Sequence, residues 1–474
     1  MKKTILVIAC IVITRLATAQ TDTKLIGTWE GKIIAGIPVR LVFQFSKDTA
    51  GHLVATSESP DQGLKNIPCN ILQVSADSLR LEVPSAKATY SARFVTDSII
   101  SGRLVQGVVA MALELKKVAA VSVLKRPQTP IPPFPYRSED VEYDNKRKSV
   151  HFGATLTIPP GKGPFPAVLL ITGSGQQNRD EEIAGHKPFA VLADYLTKRG
   201  FIVLRADDRG MGKTTGDLDS ATSADFAEDA IASLDYLASR PETDKKKLGL
   251  IGHSEGGMIA PMVASQRKEV SFIVLLAGPG EKIITLMKEQ NAAVLASRGF
   301  KQEAITAYTR LYGSIIPPIV NAPDIATAEK NARAVFLPWK DSTNKGYVMG
   351  TTGAYNDSTA SRFVKAFVAS VYIPWYRYFL RFDPQPYLAQ LHCRVLALNG
   401  SKDIQVIAKT NLAAIESALK KSKSNGFEVH ELPGLNHLFQ TCTKCTTTEY
   451  AALEETFSPE ALAVIGDWLT KNTP

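Results

Sequence analysis

The sequence predicts an α/β protein with a mainly parallel sheet, helices on both faces and a small all-β domain in front of it. Three observations support this fold class. Apolar strand-like segments alternate with helix-like segments over about residues 139–279, a pattern typical of a parallel sheet. Roughly eight short strand-like segments occupy residues 25–118, a spacing typical of a barrel or a sandwich. Residues 248–257 place a serine in a glycine-rich turn between a strand and a helix.

The N-terminal part of the chain predicts a separate β-rich domain over residues 24–120. Its strand-like segments are bounded by turns and contain no cluster of residues with catalytic chemistry. The domain is followed by a linker, predicted over residues 121–138, in which five prolines fall between Lys125 and Pro135. Proline-rich segments favour an extended, fairly stiff chain.

The rest of the chain, residues 139–474, predicts the catalytic domain. Its strand and helix alternation stops between about 279 and 386, where helix-like segments follow one another. We expect this insertion to form a helical cap over the active site. The cap ends in an aromatic segment, most of which is expected to pack in the core, while Trp375 and Tyr376 are candidates for lining an apolar substrate pocket.

Ser254 is the candidate nucleophile, because the segment Gly-His-Ser-Glu-Gly at 252–256 matches the pattern G-x-S-x-G. Gly252 and Gly256 stand where a side chain would collide as the chain reverses from strand into helix, which is the requirement of a nucleophile elbow. The backbone N–H of Glu255, at the helix N-terminus, would then point at an oxyanion. An ordinary serine in a glycine-rich turn is the alternative.

A serine nucleophile needs a base, and usually a carboxylate that orients the base. His437 is the candidate base, since it lies in a turn directly after the strand-like segment 427–432. Asp403 is the candidate acid, since it follows the strand-like segment 394–398; an aspartate that only caps a turn is the alternative. The chain order Ser254, Asp403, His437 is that of a known triad arrangement, whereas His253 is expected to be a packing residue.

A second oxyanion donor is predicted in the loop after the apolar segment 167–171. The loop begins Thr-Gly-Ser-Gly at 172–175, and the N–H of Ser174 is the candidate donor, with Gly175 as the alternative. The Asp-Asp-Arg-Gly-Met-Gly segment at 207–212 is expected to brace a loop rather than to take part in the chemistry.

These segments together resemble those of the α/β-hydrolases, and the chain is similar to the branch of secreted bacterial esterases and serine-aminopeptidase-like enzymes. The resemblance covers about residues 139–474 and depends on the segments at 172–181, 207–212 and 252–257, with G-S-K-D and G-L-N-H nearer the C-terminus. It implies the same roles for Ser254, Asp403 and His437. One departure is Thr172-Gly173, where the family frequently has His-Gly.

The first residues predict a secretory signal peptide over residues 1–19. Two lysines precede an apolar stretch, and Ala-Thr-Ala at 17–19 forms an A-x-A cleavage site. Cleavage before Cys10, as in a lipoprotein, is the alternative, but the apolar run before it is short. Because no other segment approaches the ~20 apolar residues needed to span a bilayer, we expect a periplasmic or secreted protein without a membrane span.

Charge and cysteine content narrow the classes of partner. The net charge is +9, and the basic residues of the chain are scattered apart from the run at 420–423, so no nucleic-acid partner is expected.

Cys442 and Cys445 form a C-x-x-C that allows a zinc half-site, a redox pair or a disulfide. No second C-x-x-C completes a zinc site, so metal is the least favoured of the three, and we expect no metal and no cofactor.

The sequence therefore predicts a secreted serine hydrolase that cleaves small carboxylic esters through an acyl-enzyme intermediate. A serine exopeptidase or dipeptidase that acts on short peptides with the same triad is the alternative, with Glu255 or Glu281 as candidates for holding the substrate α-amine. A non-catalytic binding protein with a vestigial hydrolase fold is a third, remote alternative.

Overall fold

The computed structural model describes residues 24–35, 37–60, 64–106, 109–121, 125–147 and 149–473. The predicted signal peptide at residues 1–19 lies outside the described residues. The chain divides into two compact units. The first unit holds the described residues up to Arg126 together with Ile183–His186 and Thr447–Glu454, and the second holds Pro127–Glu182, Lys187–Thr446 and the residues from Glu455 onward.

The first unit contains a closed eight-stranded antiparallel barrel. Each strand pairs with the next one along the chain, and the first pairs with the eighth. This architecture confirms the predicted all-β domain and shows that it is a barrel. The strands are β1 (Gly27–Ala35), β2 (Ile37–Lys47), β3 (Leu53–Ser59), β4 (Leu64–Val74), β5 (Ser78–Val83), β6 (Ala88–Thr96), β7 (Ile99–Gln106) and β8 (Val109–Val118).

Large side chains fill the interior of the barrel. Trp29, Phe43 and Tyr90 are all at most 1% exposed. The indole N–H of Trp29 donates to the carbonyl of Leu25 at 2.7 Å, and the hydroxyl of Tyr90 donates to the carbonyl of Leu113 at 3.0 Å. The interior is therefore a core in which the polar atoms of the buried aromatic residues are hydrogen-bonded, as burial requires.

The second unit is built on an eight-stranded, mainly parallel sheet in the order β16-β15-β14-β13-β11-β12-β10-β9. The first six strands in that order, β16 to β12, are parallel to one another, while β10 is antiparallel to both β12 and β9. The strands are β9 (Arg137–Asn145), β10 (Val150–Ile158), β11 (Phe165–Ile171), β12 (Ile202–Ala206), β13 (Thr243–His253), β14 (Val270–Leu276), β15 (Arg394–Gly400) and β16 (Phe427–Leu432).

Helices cover both faces of this sheet, and consecutive strand residues point to opposite faces. Leu250 belongs to the core on one face and Ile251 to the core on the other, which explains why the central strands are apolar without interruption. Helices α2, α3 and α11 pack on the first face, and α1 and α12 on the second. Their bounds are α1 (Pro188–Lys198), α2 (Ser223–Ser239), α3 (Glu255–Gln266), α11 (Ala408–Leu419) and α12 (Pro459–Asn472).

Seven helices lie between β14 and β15, where the sequence predicts a helical cap. Several begin at side chains suited to an N-cap: Asp324 accepts from the N–H of Thr327 at 2.7 Å, and Asn356 from that of Thr359 at 2.9 Å. The helices are α4 (Ile283–Ser297), α5 (Gln302–Val320), α6 (Ile325–Ser342), α7 (Lys345–Thr352), α8 (Asp357–Val371), α9 (Pro374–Arg381) and α10 (Gln385–Leu388). The fold is that of the α/β-hydrolases, as predicted.

Within the described residues, no helix has both the length and the apolar character that crossing a bilayer requires.

Candidate active site

Ser254 lies at a sharp turn between the end of β13 and the start of α3. Its backbone has φ 52° and ψ −114°, in the positive-φ region that is strained for a residue with a side chain. A Cβ added to Gly252 would lie 2.0 Å from the carbonyl oxygen of Gly256, and one added to Gly256 would lie 2.1 Å from that of Ile171. The turn therefore requires both glycines, which is the steric basis of the elbow predicted from the sequence.

Glu255, the predicted oxyanion donor, is the first residue of α3. Its N–H has no acceptor within the helix because it belongs to the first turn. The positive end of the helix dipole lies at the same place. The structure thus places a backbone donor directly beside Ser254, where negative charge would develop on a carbonyl oxygen under attack.

The loop that follows β11 lies against the nucleophile. A Cβ added to Gly173 would lie 3.2 Å from the Cβ of Ser254. The N–H of Gly173 donates to Oε1 of Glu181 at 2.7 Å, so it is already engaged. In the described structure the next N–H, that of Ser174, makes no hydrogen bond to protein, and the residue is exposed. Ser174 is therefore better suited than Gly173 to be the second oxyanion donor.

The segment at 207–212 braces this loop. Asp207 receives three hydrogen bonds from Arg179, including one from its backbone N–H at 2.8 Å. Asp208 accepts from the hydroxyl of Thr172 and from the N–H of Gln177, each at 2.8 Å. Burial raises the pKa of Asp208 to about 8, against the hydrogen bonds from Thr172 and Gln177 that lower it.

Asp403 and His437 form a buried pair, with 2.7 Å between Oδ2 of the aspartate and Nδ1 of the histidine. Oδ1 of Asp403 accepts from the backbone N–H groups of Gln405 and Val406 at 2.7 and 2.9 Å. With Oδ1 fixed by its own loop, Oδ2 is available to orient the imidazole. The arrangement leaves Nε2 of His437 as the nitrogen that can exchange a proton with a substrate or with a serine.

The loops that bear these two residues are interlocked. The N–H of Lys402 donates to the carbonyl of Leu435 at 2.9 Å, and a Cβ on Gly400 would lie 2.2 Å from that same oxygen. Oδ1 of Asn436 accepts from the N–H groups of Leu438 and Gln440, at 3.0 Å each, which closes a tight turn around His437. The segment G-L-N-H therefore forms a hydrogen-bonded turn that fixes the position of the imidazole.

No direct hydrogen bond joins the hydroxyl of Ser254 to His437 within the described structure. Catalytic hydrogen bonds in free enzymes are often long and shorten only when substrate binds. The two residues are instead connected through His253, whose Nε2 lies 2.9 Å from the carbonyl oxygen of His437 and whose ring centroid lies 4.8 Å from that of His437. The residue that precedes Ser254 is thus in contact with both the backbone and the ring of His437.

The sequence predicts that His253 is a packing residue, and in the structure it is buried. Both of its ring nitrogens also face polar atoms, Nδ1 lying 2.9 Å from Oε1 of Glu181 and Nε2 lying 2.9 Å from the carbonyl oxygen of His437. Glu181 was not singled out by the sequence analysis as a functional residue. Its position at the end of the loop segment 172–181 is a signal that could have indicated it.

The two aromatic candidates lie on α9 of the cap. The indole N–H of Trp375 donates to Oε1 of Glu255 at 2.9 Å, and the hydroxyl of Ser223 donates to the same oxygen at 2.6 Å. Tyr376 stacks on Trp375 with centroids 5.3 Å apart, and its hydroxyl lies 3.2 Å from that of Tyr312. Trp375 is thus in contact with the residue after the nucleophile, whereas Tyr376 is held within the cap.

The acidic candidates for holding a substrate amine differ in their surroundings. Glu255 is 2% exposed, and burial raises the pKa of its carboxyl. Its Oε2 has no hydrogen-bond partner in the described structure. Glu281 lies before α4, and its N–H donates to Oδ1 of Asn411 at 3.2 Å. Of the two, Glu255 is adjacent to Ser254.

Cys442 and Cys445 are joined by a disulfide, with their Cα atoms 5.0 Å apart. The bridge lies in the loop that follows His437. Among the described cysteines, Cys69 and Cys393 are free thiols.

Parts of this chain are similar in sequence to known proteins. Esterase EstD of Thermotoga maritima is 32% identical over 174 residues, 35% of this chain and 41% of that protein. The mouse acyl-coenzyme A thioesterase 5 is 30% identical over 183 residues, 38% of each chain. The match therefore spans less than half the length of either relative. An esterase of Pyrococcus furiosus of solved structure is 16% identical, with a TM-score of 0.42 over 75% of this chain and all of that one.

A family profile matches a larger part of the chain than these relatives do. The profile of the X-Pro dipeptidyl-peptidase (S15) family matches residues 148–423, more than half of the chain. This range includes Ser254 and Asp403, while His437 lies beyond its end. The chain therefore belongs to the X-Pro dipeptidyl-peptidase (S15) family.

Proposed function

We propose that this protein is a serine hydrolase that cleaves carboxylic esters through an acyl-enzyme intermediate. One observation carries the proposal: the residue that precedes a serine at a strained, glycine-dependent turn contacts a buried histidine whose Nδ1 lies 2.7 Å from Asp403. Strained backbone and a buried histidine–carboxylate pair both cost stability, and they occur together where a nucleophile and its base are needed. The relationship to an esterase and to acyl-coenzyme A thioesterases also supports hydrolysis at an acyl carbon.

The proposed reaction uses each residue for a separate task. The hydroxyl oxygen of Ser254 attacks the ester carbonyl carbon while Nε2 of His437 accepts the hydroxyl proton. The N–H groups of Glu255 and Ser174 donate to the resulting oxyanion. The bond from carbon to the alcohol oxygen then breaks, and His437 returns the proton to the leaving alcohol.

The second half of the reaction releases the acid. Water attacks the acyl-enzyme while His437 accepts its proton, and collapse of the second tetrahedral intermediate restores the hydroxyl of Ser254. Asp403 keeps the Nδ1 proton of His437 in place and stabilises the imidazolium that forms twice in each cycle. A small acyl ester is the substrate class that we propose for these residues.

The test is hydrolysis of short p-nitrophenyl esters by Ser254→Ala and His437→Ala. Each variant should lose at least about a thousandfold in kcat, because triad residues act as a unit. His430→Ala is the matched control, since His430 is an exposed residue on β16 paired with Glu428 at 3.2 Å. Full activity in Ser254→Ala, or no labelling of the wild-type serine by a fluorophosphonate, would contradict the proposal.

Hydrolysis of peptides is the second candidate function, and one feature of the site favours it. Oε2 of Glu255 is buried beside the nucleophile without a partner, and a carboxyl in this place could receive a substrate ammonium group. The family is itself named for an X-Pro dipeptidyl-peptidase. Cleavage of glycyl-prolyl-naphthylamide but not of its N-acetylated form would support this function, while no amide cleavage at high enzyme concentration would exclude it.

We also propose that the protein is exported. The disulfide between Cys442 and Cys445 supports an oxidising compartment. Mass spectrometry of the N-terminus tests the proposal: the mature chain should begin at Gln20. A chain that still begins at Met1 would contradict it, and a lipidated Cys10 would instead favour the lipoprotein alternative.

A further inference from the structure

His253 lies between two hydrogen-bond acceptors. Its Nε2 is 2.9 Å from the backbone carbonyl oxygen of His437, and its Nδ1 is 2.9 Å from Oε1 of Glu181. A carbonyl oxygen only accepts, and so does a carboxylate oxygen. Both ring nitrogens must therefore donate when Glu181 is ionised, and an imidazole that donates from both nitrogens is an imidazolium.

The imidazole of His253 and the carboxyl group of Glu181 are buried together. The side chains of His253 and Glu181 are 6% and 2% exposed. Burial by itself lowers the pKa of His253, but the charge and the hydrogen bond of Glu181 outweigh it, and the pKa lies above its ordinary value. A neutral His253 would turn the lone pair of one ring nitrogen toward a buried acceptor oxygen 2.9 Å away, which is costly in a dry environment.

The pair touches three parts of the candidate site. His253 is adjacent in sequence to Ser254, so it belongs to the elbow. Oε1 of Glu181 contacts both the N–H of Gly173, at 2.7 Å, and Nδ1 of His253. Glu181 therefore connects the oxyanion loop to His253. Nε2 of His253 contacts the backbone carbonyl oxygen of His437, so His253 also connects the elbow to the loop of His437.

We propose that Glu181 and His253 form a buried positioning ion pair, which holds the oxyanion loop and the loop of His437 against the elbow and sets the alkaline limit of activity. The inference rests on the proposed function for its role in hydrolysis. Neither residue touches the reacting atoms, so both act through Gly173 and His437.

The titratable groups around the pair define the expected pH dependence. Glu181 faces Nδ1, the ring of His437 packs at 4.8 Å and the charge of Asp403 also favours the imidazolium. On the other side, Asp208 is close enough to Glu181 for their charges to interact. Because the pKa of His253 is raised in the folded state, the contribution of the pair to stability is complete below the unfolded pKa. It is lost as pH rises through the folded pKa.

The protonation state can be measured without any assumption about activity. Protein labelled with ¹⁵N-histidine should show, at pH 7, one buried histidine with protons on both ring nitrogens, and this signal should be absent from His253→Gln. A His253 with one unprotonated ring nitrogen at pH 7 would overturn the ion pair.

The positioning role is tested with Glu181→Gln. Glutamine keeps the shape and an acceptor for Gly173 but removes the charge that holds the proton on His253. The alkaline limb of kcat/KM for p-nitrophenyl acetate should move to lower pH by at least about one unit. At pH 8, kcat should fall roughly ten- to a hundredfold with a smaller change in KM, because a misplacement of about 1 Å can cost about a hundredfold.

Two further variants separate this role from a general loss of folding. His253→Gln should have low kcat at every pH and no alkaline limb, since the titrating group is gone. Glu428→Gln is the control: it removes the acid from the exposed pair of His430 and Glu428 and should leave the profile unchanged. If the alkaline limb of kcat/KM lies at the same pH in Glu181→Gln and in wild type, the positioning role is overturned.

Failure of the proposed function has a different signature. A wild-type protein that cleaves neither esters nor amides would contradict the proposed function, and the positioning role would fall with it. The imidazolium signals of His253 would still decide whether the ion pair exists.

Discussion

Trp375 on the cap helix α9 donates its indole N–H to Oε1 of Glu255, the residue that follows Ser254, at 2.9 Å. The same oxygen accepts from Ser223 on α2 at 2.6 Å. A single buried carboxyl oxygen therefore connects the cap, the first turn of the nucleophile helix and a helix on the sheet. This contact therefore relates the position of the cap helix to that of the elbow.

Trp375→Phe should raise KM for p-nitrophenyl esters more than it lowers kcat. The substitution keeps an aromatic ring that can stack on Tyr376 and Phe379 but removes the donor to Glu255. Because Oε1 of Glu255 keeps the hydrogen bond from Ser223, loss of the indole donor should lower the free energy of unfolding by about 0.5–1.5 kcal/mol. Steady-state kinetics over several acyl chain lengths, together with urea unfolding, measure the two effects.

Trp339→Phe provides the comparison for this prediction. The indole of Trp339 donates to the carbonyl of Ala307 at 2.9 Å, a contact within the cap. This variant should lose a similar amount of stability while KM stays unchanged. Equal effects of the two substitutions on KM would mean that the contact between Trp375 and Glu255 has no influence on substrate binding.

Asp403→Asn should lower kcat by about a thousand- to ten-thousandfold with little change in fold. The asparagine can still accept the N–H groups of Gln405 and Val406, but its amide would present a donor to Nδ1 of His437 and favour the wrong tautomer. Asp467→Asn on the surface helix α12, where Asp467 pairs with Arg199 at 2.6 Å, should keep wild-type kcat. Retention of activity in Asp403→Asn would exclude Asp403 as the orienting acid.

The sequence predicts the elbow because the constraint behind it is local. Gly252 and Gly256 stand two residues on either side of Ser254, and the collisions that exclude a side chain involve the turn itself and the adjoining end of β11. The fold class is predictable for a similar reason, since alternation of apolar strands with helices is written along the chain. Asp403 and His437 each follow a strand of the sheet, and parallel strands bring such loops to one edge.

Contacts between distant parts of the chain are not predictable in this way. Glu181 is 72 residues from His253, and Trp375 is 120 residues from Glu255. Nothing in the periodicity of either segment indicates the other. Such pairs depend on how a loop or a cap helix packs, so the sequence alone predicts for His253 only the role of a packing residue.

Reduction of the disulfide between Cys442 and Cys445 should destabilise the loop after His437. Without reductant, the unfolded mature protein should show two reactive thiols, those of Cys69 and Cys393. With reductant, the unfolded mature protein should show four reactive thiols, because Cys442 and Cys445 are then reduced as well. The double variant Cys442→Ser and Cys445→Ser should lose about 2 kcal/mol of unfolding free energy, the loop-closure value for so short a loop. Four reactive thiols before reduction would contradict the bridge.

Asp208→Asn should make the protein more stable at alkaline pH. Burial raises the pKa of Asp208 to about 8 in the folded protein, from an ordinary value of 3.8. Between these two values the folded state binds more protons than the unfolded state at this group, so stability falls as pH rises, by at most about 1.4 kcal/mol per pH unit. Asparagine carries no charge to desolvate. Its carbonyl oxygen can accept from the N–H of Gln177, as Oδ2 of Asp208 does, and its amide can donate to the hydroxyl oxygen of Thr172.

Urea unfolding from pH 4 to pH 9 measures this effect. Wild type and Asp208→Asn should have similar unfolding free energies near pH 4, and the variant should become progressively more stable than wild type as the pH rises toward 8. The surface variant Asp467→Asn should follow the wild-type curve throughout. If Asp208→Asn and wild type lose stability in parallel up to pH 9, Asp208 is already ionised at neutral pH. In that case the loop from Thr172 to Gln177 is held by a carboxylate and not by a carboxylic acid.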